Sequence, residues 1–191
     1  MTVSADEGRA ADLGGKPESQ PRTVFIDSDM VLLAAHQGRR GIELDIQADV
    51  AEGIERLSVV ADQTVILVYP LNPSSPLTTD TARLKALHDG LGATLEGLLV
   101  VGCPHDDRSC ECAKPGSGLI ELAMTQHSLP RHNGWFIGAD QEGVVSARGA
   151  GLSTIRIGPV GLDHLSAVHR PDYDARDLLD AANHILVEEL S

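Results

Sequence analysis

What most constrains this sequence is a repeated alternation. A short, almost wholly apolar run is followed each time by a stretch whose apolar residues recur at helical spacing. Thr23–Ile26 reads as a strand, and Ile46, Val50, Ile54 and Leu57 then fall on one face of a helix. Thr64–Val68 is the second strand, followed by Leu84, Leu87 and Leu91. Leu98–Val101 is the third, followed by Leu119, Leu122 and Ala123. Trp135–Ile137 and Thr154–Ile157 add two strands. Leu178, Leu179, Ala182, Ile185, Leu186 and Leu190 line a C-terminal helix that Asp172 or Asp174 would cap. Strands that are apolar on both faces must be covered on both, and the intervening helices can do this. The expected fold is α/β, with a central parallel sheet between two helix layers and ligands bound beyond the C-terminal ends of the strands.

Composition limits the partners. Phe, Tyr and Trp make up only 3% of the 191 residues, so the core is aliphatic and a stacking platform for nucleic-acid bases is not expected. With 28 acidic and 15 basic side chains the formal charge is −13, which repels nucleic-acid phosphates and anionic membrane surfaces. No window approaches the roughly 20 apolar residues of a membrane span, and the N-terminus lacks the order of a signal peptide. A cytoplasmic protein is expected. Residues 1–22 show no apolar periodicity and read as a disordered tail, leaving 23–191 as one folded domain.

The three cysteines lie within ten residues of one another. Cys103-Pro-His105 is followed, after four residues, by Cys110-Glu-Cys112, which places three thiolates and an imidazole in one polar loop. Four such ligands match the closed tetrahedral shell of a structural zinc site, and an odd cysteine count does not suit a disulfide framework. Zinc here would fold a loop that has few apolar contacts of its own.

The first strand ends in Asp27-Ser-Asp29, two carboxylates where the backbone leaves the sheet. Together, VFIDSDMVL and the later CPHDDRSCECAKP resemble the haloacid dehalogenase superfamily, in particular its zinc-loop branch of histidinol-phosphate and heptose-bisphosphate phosphatases. The resemblance runs from about Thr23 to Ile157 and implies a three-layer Rossmann-like fold. With only about fifteen residues between Met30 and the helix near Ile46, it also implies that no cap domain is present. It makes Asp27 the nucleophile that forms an aspartyl-phosphate and Asp29 the general acid and base. Lys114 becomes the lysine that neutralises the transferring phosphoryl group. A magnesium ion on Asp27 and Asp29 would screen the attack of one anion on another. The implied substrate is a small phosphorylated metabolite, a sugar or amino-alcohol phosphate.

Several positions depart from that family. Met30 stands where glycine is usual, and Tyr69-Pro70 replaces a phosphoryl-binding threonine or serine and the asparagine after it. Ala113 replaces an arginine. In the fourth motif Ala139 and Gly143 replace aspartates that complete the magnesium shell, with Asp140 and Glu142 one residue away, so Asp140 is the candidate third magnesium ligand. Two readings therefore stand: a phosphomonoesterase, or a catalytically inactive pseudophosphatase that binds a phosphorylated ligand or a protein partner. Arg39 and Arg40 are candidates for anion contact. Gly116 and Gly118 would form either an anion cradle at a helix N-terminus or a simple turn. The histidines other than His105 show no ligand spacing.

Overall fold

In the computed structural model the described residues are 22–38, 41–46, 50–69, 97–103, 110–158 and 166–190, with 32–38 and 41–46 described by backbone alone. β1 (Thr23–Asp27), β4 (Gln63–Val68), β5 (Leu98–Gly102), β6 (Gly134–Gly138), β7 (Ser153–Ile157) and β8 (Tyr173–Ala175) form one sheet in the order β5-β4-β1-β6-β7-β8. Every pairing in it is parallel, as the apolar runs require. β1 lies between β4 and β6, with Asp27 opposite Leu67.

Alternation along the central strands assigns the two faces. Val24, Ile26, Ile66, Ile137 and Ile155 pack with α1 (Val50–Leu57) and α4 (Leu178–Leu190). Phe25, Val65, Leu67 and Phe136 pack with α2 (Gly118–Gln126) and α3 (Gln141–Gly149). This is the expected three-layer α/β architecture. The large core side chains Phe25 and Phe136 share the α2/α3 side and are fully buried, so one layer carries both phenylalanines while the other is filled by branched aliphatics.

Three features differ from the sequence expectation. β2 (Leu32–Gly38) and β3 (Gly41–Ile46) pair as antiparallel strands, so Ile46 ends a strand opposite Leu32 and the helix starts only at Val50. α3 and β8 are additional elements. Asp177, not Asp172 or Asp174, caps α4, its Oδ1 accepting from the Asp180 amide at 2.7 Å. Asp172 instead accepts from the amide and hydroxyl of Thr154, and Asp174 accepts from Arg156 Nε at 2.9 Å. Just ahead of β1, the Arg22 carbonyl accepts from the Asp62 and Gln63 amides. Residues 1–21, the helix expected around Leu84–Leu91, Arg39 and Arg40 lie outside the described residues.

Candidate active site and metal loop

Asp27 is the last residue of β1, and only 2% of it is exposed. The chain then enters a single 3₁₀ turn, Ser28–Met30, and the Asp29 amide donates to Asp27 Oδ1 at 3.1 Å. Ser128 and Asn133 are the non-glycine residues with positive φ among those described, so the turn needs no glycine. Met30 is accommodated and packs against the core on the α1/α4 side.

Lys114 reaches this aspartate from the cysteine loop. Its Nζ forms ion pairs with Asp27 Oδ2 and, at 2.6 Å, with Asp140 Oδ2. Asp140 sits just beyond β6 and caps α3, its Oδ1 accepting from the Gly143 amide at 2.5 Å. One residue of offset in the fourth motif therefore leaves a carboxylate in the site. The nucleophile, lysine and third-ligand candidates come together on one ammonium, with Asp29 beside them.

Burial is the main influence on Asp27, opposed by Lys114 and reinforced by the nearby Asp29 charge. Together these push its carboxyl up from 3.8 to about 6. Burial also disfavours the Lys114 ammonium, but Asp27 and Asp140 outweigh it and hold the group above its ordinary range.

Tyr69 follows β4 and is buried, with the Lys114 Nζ 4.6 Å from its ring centroid. Its hydroxyl is 3.4 Å from Ser146 Oγ, and Ser146, fully buried on α3, donates to the Gly116 carbonyl at 2.7 Å. Burial, then the Asp27 charge, pushes the Tyr69 phenol upward, so it stays neutral. Pro70 lies outside the described residues.

In the loop, the sulfur atoms of Cys103, Cys110 and Cys112 all lie within 4.8 Å of one another, with Cys103 and Cys110 3.5 Å apart. Metal–sulfur bonds of about 2.3 Å in a tetrahedron put sulfurs about 3.8 Å apart, so this spacing fits a metal ion. Burial, together with the neighbouring Cys103 and Cys110, pushes the Cys112 thiol up to about 12, a crowding that a bound cation would relieve. His105, the expected fourth ligand, lies outside the described residues.

The loop returns to α2 through Gly116 and Gly118, whose amides donate to the Ala113 and Glu111 carbonyls at 2.9 and 3.2 Å. A Cβ at either would lie 2.6 or 2.5 Å from the Glu111 carbonyl oxygen. Of the two roles left open for these glycines, the turn is the one these contacts describe, because both glycine amides are engaged by carbonyls within the loop.

No protein-family model matches the sequence, and no curated protein does either. Solved structures do. A D,D-heptose 1,7-bisphosphate phosphatase from B. bronchiseptica, complexed with magnesium and phosphate, is 20% identical with a TM-score of 0.66, over 87% of this chain and 99% of that one. The chain has the haloacid dehalogenase fold. A HAD-like phosphatase from Mesorhizobium loti is similar over 91% of both chains, at 15% identity and a TM-score of 0.62. So is the cobalt-bound deoxy-D-mannose-octulosonate 8-phosphate phosphatase of Haemophilus influenzae, at 14% and 0.56, over 89% of this chain and 90% of that one.

Within this haloacid dehalogenase fold the sequence reading missed the Tyr69–Ser146 contact. Those residues are 77 positions apart, and no local pattern joins them.

Proposed function

We propose that this chain is a phosphomonoesterase acting on a small phosphorylated metabolite, a sugar or amino-alcohol phosphate. The observation that carries the reading is the convergence of Asp27 and Asp140 on the Lys114 ammonium at the C-terminal end of the central strand. Ligands bind at that end of a parallel sheet, and phosphoryl transfer needs a nucleophile beside a fixed positive charge. The fold it shares with phosphatases adds support.

In this reading an Asp27 carboxylate oxygen attacks phosphorus as the bond to the leaving oxygen breaks, and Asp29 gives that oxygen its proton. Asp29 then takes a proton from water, which attacks the aspartyl-phosphate, freeing Asp27 and inorganic phosphate. Lys114 offsets charge on the phosphoryl oxygens. The hard oxygens of Asp27, Asp29 and Asp140 suit magnesium, which when bound supplies further charge screening. Zinc suits the three thiolates with His105 as fourth ligand, leaving no open position for chemistry. Cysteines kept as a metal-binding cluster instead of disulfides suit a reducing compartment, the cytoplasm in this reading.

Turnover of p-nitrophenyl phosphate and a panel of sugar phosphates in magnesium is the test. Activity lost at least 10³-fold in Asp27→Asn supports the enzyme, whereas activity unchanged by that substitution removes Asp27 from the chemistry. Elemental analysis of protein purified without chelator is expected to give one zinc per chain, lost in Cys112→Ser. A second reading, the pseudophosphatase, is favoured by Tyr69, whose hydroxyl is engaged with Ser146 where the family offers one to the phosphoryl group. Inorganic phosphate bound without turnover of any panel member is its expected result.

A further inference from the structure

We propose that Tyr69 and Ser146 form a clamp that positions Lys114, so that Tyr69 serves the site through its ring instead of through a hydroxyl offered to substrate. The proposal deepens the phosphatase reading and rests on it for its kinetic consequence.

Three contacts close around the lysine. The Tyr69 ring lies 4.6 Å from Nζ, within the range of a cation–π attraction, and this one is largely shielded from water. The Ser146 hydroxyl has one proton and donates it to the Gly116 carbonyl, two residues after Lys114. Its oxygen is thereby left as acceptor for the Tyr69 hydroxyl, which fixes the direction of the 3.4 Å contact. Ser146 thus ties the backbone that carries Lys114 to the ring beneath its side chain. On the other side of Lys114, Cys112 belongs to the metal loop.

A lysine side chain is flexible and loses much freedom when held in one place. Two carboxylates alone fix the charge but not the approach of the chain behind it, since an ammonium can rotate among its donors. The ring and the Ser146–Gly116 bond constrain that approach. A threonine or serine at position 69 would supply a hydroxyl but no π face. The departure from the family at this position is therefore an exchange of one phosphoryl contact for control of Lys114.

Lys16, Lys85 and Lys114 are the only lysines, which makes lysine-selective NMR of the full chain simple to assign with Lys114→Gln as reference. Lys114 side-chain protons shifted upfield by the ring are expected in wild type and in Tyr69→Phe, and absent in Tyr69→Leu. With p-nitrophenyl phosphate in magnesium, Tyr69→Leu is expected to lower kcat at least tenfold with KM within twofold. Tyr69→Phe and Ser146→Ala should each lower kcat severalfold. Wild-type kcat in a folded Tyr69→Leu that has lost the upfield shift overturns the proposal, as does a Lys114 shift that persists in that variant. If Tyr69→Leu does not fold, unchanged kcat in both Tyr69→Phe and Ser146→Ala overturns it. A wild-type chain without turnover defeats the phosphatase reading, while the NMR comparison still decides whether the clamp exists.

Discussion

Two clusters of charge sit on the same sheet and are assembled differently. Along the β7–β8 edge the charges match one for one. Arg156, 4% exposed, pairs with Asp174, and Arg148 pairs with Asp172 at 2.8 Å, whose other oxygen takes the amide and hydroxyl of Thr154. At the end of β1 they do not match, because Asp27 and Asp140 share one ammonium with Asp29 alongside. Balanced pairs hold a three-residue edge strand in place. In the unbalanced group Asp27 and Lys114 are withdrawn from water, while Asp140, whose side chain is 44% exposed, carries the second negative charge at the surface of the site. Burial of Asp27 therefore costs stability where the proposed function needs a carboxylate.

The largest effect expected from breaking this contrast is at Lys114. Lys114→Gln leaves two carboxylates facing each other without a cation, and phosphatase activity should fall about 10³-fold, or about 4 kcal/mol of transition-state stabilisation. Steady-state kinetics on p-nitrophenyl phosphate measures it.

The matching change at the other cluster is Arg156→Met, which leaves Asp174 unpaired. It should lower unfolding free energy by about 3 kcal/mol in urea titration while leaving kcat per folded molecule intact. Loss of activity without loss of stability would erase the distinction between the clusters.

Next comes pH. The Asp27 carboxyl lies near 6 when folded, against an ordinary 3.8, so the folded chain holds this proton more tightly than the unfolded one. Its stabilising contribution is complete below pH 3.8 and is lost as pH rises through 6. The whole effect is about 3 kcal/mol, of which about 1.4 kcal/mol falls between pH 5 and pH 8. In chelator-treated protein, Asp27→Asn should therefore gain that much on wild type over this interval, measured by urea titration at both pH values.

The smallest effect is at Gly143. A Cβ there would lie 3.0 Å from Phe136 Cζ and 3.1 Å from Asp140 Oδ1. Gly143→Ala gains about 1 kcal/mol of helix propensity, but crowding a packed site costs about 1–3 kcal/mol. A net loss of about 1 kcal/mol is expected by thermal melting.

The strands and the cysteine loop were legible because each depends on neighbours in sequence. β1, β4, β5, β6 and β7 are runs of apolar residues, and their observed limits extend the expected ones by a residue or two. α3 was not legible: QEGVVSARG contains two glycines and few apolar residues, and its place is fixed by Asp140 capping and by Ala147 packing into the core. β8 has only the residues Tyr173, Asp174 and Ala175, a strand made by pairing with β7. Within the site, Asp27, Asp29 and Lys114 were marked by motif. Asp140 was marked only as a displaced carboxylate, and its contact with Lys114 depends on how two distant loops meet. Ser146 carried no signal at all.

Because β1 is flanked by β4 and β6, Asp27 meets Lys114 across 87 residues, and Lys114 meets Asp140 across a further 26. Contacts so distant along the chain form late and slowly. A polypeptide emerging from the ribosome therefore has no assembled Asp27–Lys114–Asp140 cluster until β6 and the start of α3 have been made. If the chain is the phosphatase proposed above, recovery of turnover in refolding is expected to follow the last phase of sheet formation and not the appearance of helix, so turnover becomes a clock for completion of the fold.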